Sequence, residues 1–514
     1  MENSGLRALL AVILSMVILF GSQYLYTKYY QPKDSSHQSV QPTKKEEKFA
    51  GSQTVSVPST LKEEPKEIRK DTKYREIEIE NDVFKVTLSN EGAVIKKIEL
   101  KRYKDKKGAP IVLKADDISP LSILKDGKLD YAKVIFNIEG TKLSFKDSER
   151  AFINFYFSDG EIYIKRSFIF NKEDYSIEIK EEVKGLNNYF VTIGKDFGIV
   201  EKEDAPHWGP VILKDADRIE LTPNKVKDII TYNEGVKWVA LEDKYFFSAI
   251  VPLSKANQFV VSPYSSDVLV SIGFKDGQNT YKLFAGPKEY DYLKKFNLGL
   301  EHIVDFGFFS IIARPLFWFL KLLYSLTHNY GVAIIILTIL VRIPFIPIVN
   351  RGQKSMQKLS ELQPKLMQLK EQYKNDPQRL QKEMMELYRK YKVNPMGGCL
   401  PILLQIPVFF ALYKILTIAI ELRQAPFIFW ITDLSTKDPY YVLPILMGLT
   451  MLIQQKMTPS TMDPTQQKIM LLMPVVFTFL FLTFPSGLVL YWLVNNIFGI
   501  AQQFYINQKI KKRA

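Results

Sequence analysis

Cysteine and histidine are scarce in this 514-residue chain: one Cys, Cys399, and four His at 37, 207, 302 and 328. A single Cys excludes an internal disulfide and any Cys-based zinc site. The four His are too scattered to form a metal cluster. No GxxxxGK[ST] loop, GxSxG elbow or HExxH pair is present, so nucleotide-driven pumping, serine hydrolysis and zinc proteolysis all lack their usual signatures. Carboxylates are missing from the long apolar runs of the last 200 residues, except Glu421 at the end of one of them. Proton-coupled transport, which normally pairs intramembrane charges, loses its usual parts as well. No cofactor is expected, and no enzyme chemistry.

What the chain does contain falls into two unlike parts. The first 300 residues are charged and strand-like, and the last 200 hold the apolar runs. The net charge of +14 suits nucleic acid, acidic lipid, or the cytoplasmic loops of a membrane protein. Residues 1–27 carry "GLRALLAVILSMVILFGSQYLY", whose one charge, Arg7, lies near its start. The run is longer than a signal-peptide core and lacks an A-x-A-like site, which favours an uncleaved anchor with its N-terminus inside. Residues 28–73 are rich in Lys, Glu, Ser, Gln and Pro and read as a disordered tether. Residues 74–300 alternate with period two, as in "INFYFSDGEIYIKRSFIF", which predicts an all-β sandwich. Its interleaved Lys and Glu read as a solvated surface.

Residues 301–514 read as a helical membrane core. Over 308–326 the polar Ser310, Arg314, Lys321 and Ser325 fall within about 60° of one another at 100° per residue, which predicts an interfacial helix rather than another span. Spans are expected near 329–349, 397–420, 440–456, 468–484 and 487–506, with "FPSG" turning the chain between the last two. With the anchor this makes six transmembrane helices. Residues 351–392 hold eleven basic residues against five acidic ones, and the tail adds Lys509, Lys511, Lys512 and Arg513. The positive-inside rule then places that loop and both termini in the cytoplasm, and residues 28–300 in the periplasm. Apolar residues at 356, 359, 362, 366, 369 and 373, then at 380, 384, 387 and 391, predict a cytoplasmic helical hairpin over 353–391. Asp376 should cap its second arm with Pro377 in the first turn, and Pro364 should bend the first arm. Cys399 begins an apolar helix after "NPMGG" with no base nearby, and is expected to be structural.

One charge stands out. Arg342 lies inside the span "GVAIIILTILVRIPFIPIV", with Thr338 one turn before it. An arginine near the bilayer centre costs roughly 2.5–3.5 kcal/mol on insertion scales. The other spans offer it only neutral polar residues, Gln405, Asn495, Asn496, Gln502 and Gln503. Two readings follow: a water-filled cationic recess, or a side chain that snorkels to the interface.

Residues 300–510 resemble the YidC/Oxa family of membrane protein insertases in its Gram-negative bacterial form. "LQPKLMQLKEQYKNDPQRLQKEMMELYRKYKVNPMGGCLPILLQIPVFFALY", "ELRQAPF", "DPYYVLPILMG" and "FPSGLVLYW" carry the likeness, and "VKWVALEDKYFFSAIVP" and "GPKEYDYL" extend it into the strand-rich part. The resemblance implies a five-helix core with a groove open to the cytoplasm and to lipid. Arg342 would be the groove's charge, with Thr338 and Gln405 beside it; Asn495, one of the neutral polar residues of the last span, joins that lining. Ile406, Phe409, Tyr491 and Trp492 would meet incoming chains. The β-domain would be a super-sandwich related to sugar mutarotases, without their chemistry, since no acid and His pair is placed for it. Implied partners are nascent membrane proteins, the Sec translocon, the signal recognition particle receptor, the ribosome and membrane lipids, in the inner membrane. Lys414 departs from the pattern, because an uncharged residue is expected within the third span. The competing readings are a small-molecule transporter or channel, which would be expected to have paired charges or an inverted repeat, and a tethered carbohydrate-processing enzyme.

Overall fold

The computed structural model describes residues 73–511, apart from 147, 203–204, 392, 394–399 and 459–463. The expected anchor at 1–27, the tether at 28–73 up to its last residue, and Cys399 lie outside the described residues. Two compact units emerge. One holds the strands through Ala313 together with Lys414–Arg423, and the other holds Arg314–Tyr413 and the chain from Gln424 onward.

Alternating apolar residues dictate the first unit. In "RAFINFYFS" and "YIKRSFIFN" every second side chain is buried or nearly so, as a strand with one face on a core requires. A four-stranded antiparallel sheet is formed by β1 (Glu76–Glu80), β2 (Phe84–Ser89), β3 (Val94–Lys104) and β4 (Pro110–Lys114). The larger sheet draws on β5 (Ile123–Leu124), β6 (Asn137–Lys142), β7 (Arg150–Ser158), β8 (Tyr163–Asn171), β9 (Ser176–Gly194), β10 (Gly209–Lys214), β11 (Asp217–Glu220), β12 (Ile230–Tyr232), β13 (Val236–Glu242), β14 (Phe246–Pro252), β15 (Gln258–Tyr264) and β16 (Asp267–Pro287). Its main path runs β11-β10-β13-β14-β16-β9-β8-β7-β6. The two sheets face each other: Phe84 meets Phe170 edge-on at 6.4 Å, and Tyr103 meets Phe246 at 5.7 Å. The expected β-sandwich is found.

The expectation of a solvated Lys and Glu surface is corrected at two places: Glu242 is buried and pairs with Lys288 at 2.7 Å, and a second pair is buried completely. Arg166 and Glu181 are paired at 2.6 Å with both side chains fully buried. Arg166 also donates to the carbonyls of Ala93 and Leu121, each at 2.7 Å. The Tyr281 and Tyr189 hydroxyls donate to Glu181 at 2.7 and 2.9 Å. A buried ion pair is tolerable only with its remaining polar atoms engaged in this way.

Lys414–Arg423 is fastened to this β-rich unit by two ion pairs. Lys414 bonds Asp305 at 2.8 Å. Arg423 bonds Glu201 at 2.6 Å, donates to the Lys104 carbonyl at 2.7 Å and lies over the Phe246 ring. The charge that looked out of place in a span therefore has an acidic partner.

The second unit is helical. In chain order it comprises α1 (Ser310–Thr327, entering from the first unit), α2 (Tyr330–Arg342), α3 (Ile346–Glu361), α4 (Gln363–Gln372), α5 (Pro377–Lys390), α6 (Leu400–Ile418), α7 (Val442–Met457), α8 (Pro464–Phe481) and α9 (Ser486–Lys511). Among the described residues, one continuous helical stretch, Tyr330–Glu361, is long and apolar enough to cross a membrane; shorter apolar helices cover Gln405–Ile418, Val442–Met457 and Met470–Phe481. The long stretch passes through a 3₁₀ turn at Ile343–Phe345. Pro344 and Pro347 lack the N–H groups a regular helix would use there.

Apolar spacing also explains α3 to α5. Leu359, Leu362 and Leu366 are buried with Val393 against Met356, Met384, Leu387 and Tyr388. Asp376 caps α5 by accepting from the Arg379 N–H at 3.0 Å, with Pro377 in the first turn. Pro364 falls in the first turn of α4, where the arm breaks at Leu362. The turn between α8 and α9 is pinned by Ser486 N–H to the Thr436 carbonyl at 2.7 Å and Gly487 N–H to the Leu434 carbonyl at 3.0 Å.

Candidate functional site

The site lies within the helical unit and is organised around the end of α2. Asn329 caps that helix by accepting from the Val332 N–H at 3.1 Å. Nine and thirteen residues on, the helical repeat leaves Thr338 and Arg342 on one face. Thr338 is only 3% exposed, and its hydroxyl donates to the Ile334 carbonyl at 2.6 Å. That bond satisfies the hydroxyl locally, so Thr338 shapes the wall beside Arg342 rather than bonding to it.

Arg342 is half-buried. Its Nη1 donates to both the side-chain Oδ1 and the backbone carbonyl of Asn495 on α9. Its guanidinium lies 5.4 Å from the Phe498 ring centre, within cation–π range. Among the described residues no carboxylate forms an ion pair with it. One turn beyond Asn495, Gly499 makes room: a Cβ there would stand 3.2 Å from Arg342 Nη2 and 2.6 Å from Gln454 Nε2. The cation is thus seated in a notch on α9 and held by neutral acceptors.

Tyr491 lies one turn earlier on α9, 3% exposed. Its hydroxyl meets the Gln405 side chain, and it interacts electrostatically with Arg342. Arg342, Tyr491, Gln405 and Asn495 therefore form one polar group drawn from α2, α6 and α9. Ile406 follows Gln405 and is half-buried.

Beside the polar group stands an aromatic cluster. Phe409 and Trp492 meet at right angles, 4.9 Å between ring centres. Trp492 also packs against Phe481 at 5.2 Å and Phe477 at 6.2 Å. The family resemblance named Phe409 and Trp492 but not Phe477, Phe481, Phe498 or Gly499. The i, i+4 spacing of the two α8 phenylalanines was the available signal. A lone glycine in an apolar helix gives little warning that it makes room for a distant side chain.

The other neutral polar residues do different work. Asn496 donates to Thr450 Oγ1 at 3.3 Å, Gln502 to Asn350 Oδ1 at 2.7 Å, and Gln503 to Thr458 Oγ1 at 3.3 Å. These bonds tie α9 to α7 and α3. Among the described residues no group of three or more His, Cys, Asp and Glu could hold a metal ion.

The 60Kd inner membrane protein family model matches residues 322–513, and that of the YidC periplasmic domain matches residues 76–319. Membrane protein insertase YidC of Geotalea uraniireducens (strain Rf4) is 41% identical over 98% of this chain and 99% of its own length. That of Geotalea daltonii (strain DSM 22248 / JCM 15807 / FRC-32) is 39% identical with the same coverage. The chain belongs to the YidC family of membrane protein insertases. A solved structure described as an active YidC insertase with its first transmembrane domain resolved is 19% identical, covers 85% of this chain and 93% of its own, and superposes with a TM-score of 0.39. The YidC periplasmic match ends at Phe319 in α1 and the other begins three residues later, so α1 is the element at which the two family regions meet.

Proposed function

We propose that this chain inserts membrane proteins into the bacterial inner membrane and helps them fold, without bond-breaking chemistry and without a cofactor. Membership of the YidC family supports the class of activity. The observation that carries the mechanism is Arg342 held by a neutral amide and a carbonyl rather than by an acid.

A hydrophobic client segment gains by leaving water for lipid, at about 25 cal/mol per Å² of apolar surface. Its barrier is the transfer of the polar flank. In this reading six spans place both termini in the cytoplasm and the β-sandwich in the periplasm. Arg342, Thr338, Gln405, Tyr491 and Asn495 line a hydrated groove, and Ile406, Phe409 and Trp492 border the path into lipid. An acidic flank replaces Asn495 as the partner of Arg342 for a moment, while the apolar segment moves past the aromatic cluster. The hairpin of α3 to α5 projects into the cytoplasm and receives clients from the ribosome or the signal recognition particle receptor. The Sec translocon shares some of those clients. Helix α1 lies along the periplasmic interface: Phe317, Leu320 and Leu323 are buried, while Trp318, Leu322 and Leu326 are exposed as a lipid-facing side. No observation favours the transporter reading.

The test is insertion yield in liposomes for paired single-span clients that differ only in flank charge. Arg342→Glu should depress the acid-flanked client much more than the neutral one. Equal yields for the two would overturn the electrostatic role of Arg342.

A further inference from the structure

Between α6 and α7, "APFIFW" and "DPYYV" place a knot of aromatic residues where no groove residue lies. The Phe427 N–H donates to the Ile431 carbonyl at 2.9 Å, and the Ile431 N–H to the Ile428 carbonyl at 3.1 Å. These bonds close a tight turn with Ile428 and Phe429 at its tip. Phe429 is 82% exposed and Tyr440 68%. Phe429 holds a positive φ of 52°, a left-handed conformation that bulky residues rarely adopt. Surrounding bonds must impose it, and its outcome is an aromatic ring directed away from the protein.

The polar atoms near the tip are already engaged. The Trp430 indole N–H donates to Asp438 at 3.0 Å, and the Tyr440 and Leu443 N–H groups donate to the same carboxylate at 3.0 and 2.7 Å. Trp430 stacks on Phe429 and meets Tyr440 edge-on. At the tip Ile428, Phe429 and Tyr440 face outward, while the exposed Thr432, Thr436 and Lys437 lie elsewhere in the loop.

The depth of this knot is fixed by α2. The Asn329 amide donates to the Phe427 carbonyl at 2.9 Å. The Phe427 ring lies so close to Gly331 that a Cβ there would stand 1.9 Å from it. Only a glycine permits that approach. The turn therefore sits level with the first turn of the stretch long and apolar enough to cross a membrane. Exposed apolar residues continue from the knot onto α7, at Ile445, Leu446 and Leu449, as a lipid-facing surface would.

We infer that the Ile428–Tyr440 knot is a lipid-binding anchor, with Phe429, Trp430 and Tyr440 seated at the headgroup–acyl boundary where α2 enters the bilayer. Aromatic residues with one apolar and one polar edge favour that layer. The occupant is the bilayer itself, because the knot lies at the depth of the span's entry and is continuous with the outward face of α7. The anchor would set how deep the start of α2 and the start of α7 ride.

The experiment uses the full-length chain carrying Cys399→Ser, with a single spin-labelled cysteine introduced by Phe429→Cys, Tyr440→Cys or Thr436→Cys. Thr436 is exposed in the same loop and provides the aqueous reference. Each protein is reconstituted in vesicles of phosphatidylcholine and phosphatidylglycerol without client. Collision with oxygen, relative to a water-soluble nickel complex, should be several-fold higher at 429 and 440 than at 436. Equal ratios at all three positions would overturn the proposal. So would shielding at 429 from both quenchers, which would indicate a protein contact, and so would shielding that arises only when client is added. Agreement of 429 with 440 guards against a local disturbance at one labelled position.

Discussion

If Arg342 serves clients rather than the fold, its removal should leave the helical unit about as stable as before. Arg342→Met keeps the length of the side chain and deletes the charge. The structure gives the opposing terms. Keeping an arginine in the apolar stretch costs roughly 2.5–3.5 kcal/mol at the centre of a span and less toward its end. Against this stands the contact of Nη1 with the Asn495 side chain and carbonyl; one donor nitrogen shared between two acceptors on one residue amounts to a single hydrogen bond to a charged group, about 1.5–3 kcal/mol. The Phe498 ring at 5.4 Å adds about 0.5–1 kcal/mol. These terms nearly cancel, so Arg342→Met should change stability by no more than about 1 kcal/mol. Asn495→Leu keeps the charge and removes its side-chain acceptor, and should cost about 1.5–3 kcal/mol. The double variant should recover most of that loss, giving a coupling of about 1–3 kcal/mol in the cycle.

The assay is equilibrium unfolding in mixed micelles of mild and denaturing detergent, run beside insertion yield for an acid-flanked client. The expected pattern is a stable Arg342→Met protein with depressed insertion. A loss above about 3 kcal/mol for Arg342→Met would refute the reasoning, because the arginine would then be holding the helices together. An additive cycle would also refute it, since Asn495 would then not be the partner that matters.

Two further outcomes follow from the β-rich unit. Burial alone would raise the Asp305 carboxyl, but the Lys414 charge and then Arg218 outweigh it and hold the group down at about 2. An unfolded aspartate titrates near 3.9, so this pair's stabilisation is fully present above about pH 4 and is lost as pH falls toward 2. It is about 1 kcal/mol once solvent screening of the half-exposed carboxylate is allowed for. Hydrogen exchange at 414–423 should accelerate over that window and become flat in Asp305→Asn; an unchanged profile in the variant would show that another group is responsible. Glu181→Gln leaves Arg166 buried without its counter-charge and should cost about 3–5 kcal/mol. Exchange protection of β8 and β9 reports this directly, and a change below about 1 kcal/mol would contradict a structural role for the pair.

Local patterns were legible because they act over a few residues. Period two in "RAFINFYFS" gave the sandwich, and the N-cap at Asp376 follows from three adjacent residues. The position of the Arg166–Glu181 pair was within reach of the same logic. Arg166 shares parity with Ile164, Phe168 and Phe170 on β8, and Glu181 with Ile177, Ile179 and Val183 on β9. A charge in step with a buried face should have been read as a buried partner. The Arg342 seat was harder. Its partner lies 153 residues away in sequence, and the notch at Gly499 depends on how two helices approach. Composition named Asn495 among the neutral polar residues of the spans, but nothing local distinguished it from Asn496, which faces α7 instead. Lys414 was illegible for a related reason: its acid, Asp305, precedes it by 109 residues.

That no carboxylate pairs with Arg342 among the described residues can then be understood as a matter of strength. Two opposite unit charges 4 Å apart attract by about 4 kcal/mol at the effective dielectric of a protein surface. A resident acid beside Arg342 would match any acidic flank a client could offer, and exchange would gain nothing. An amide acceptor contributes about 1.5–3 kcal/mol, weak enough for a client carboxylate to replace and strong enough to hold the guanidinium in place between clients. The same weakness lets the client leave, because Asn495 is at hand to take the bond back. In the proposed role, a groove that must receive and release each segment needs a cation held by neutral groups.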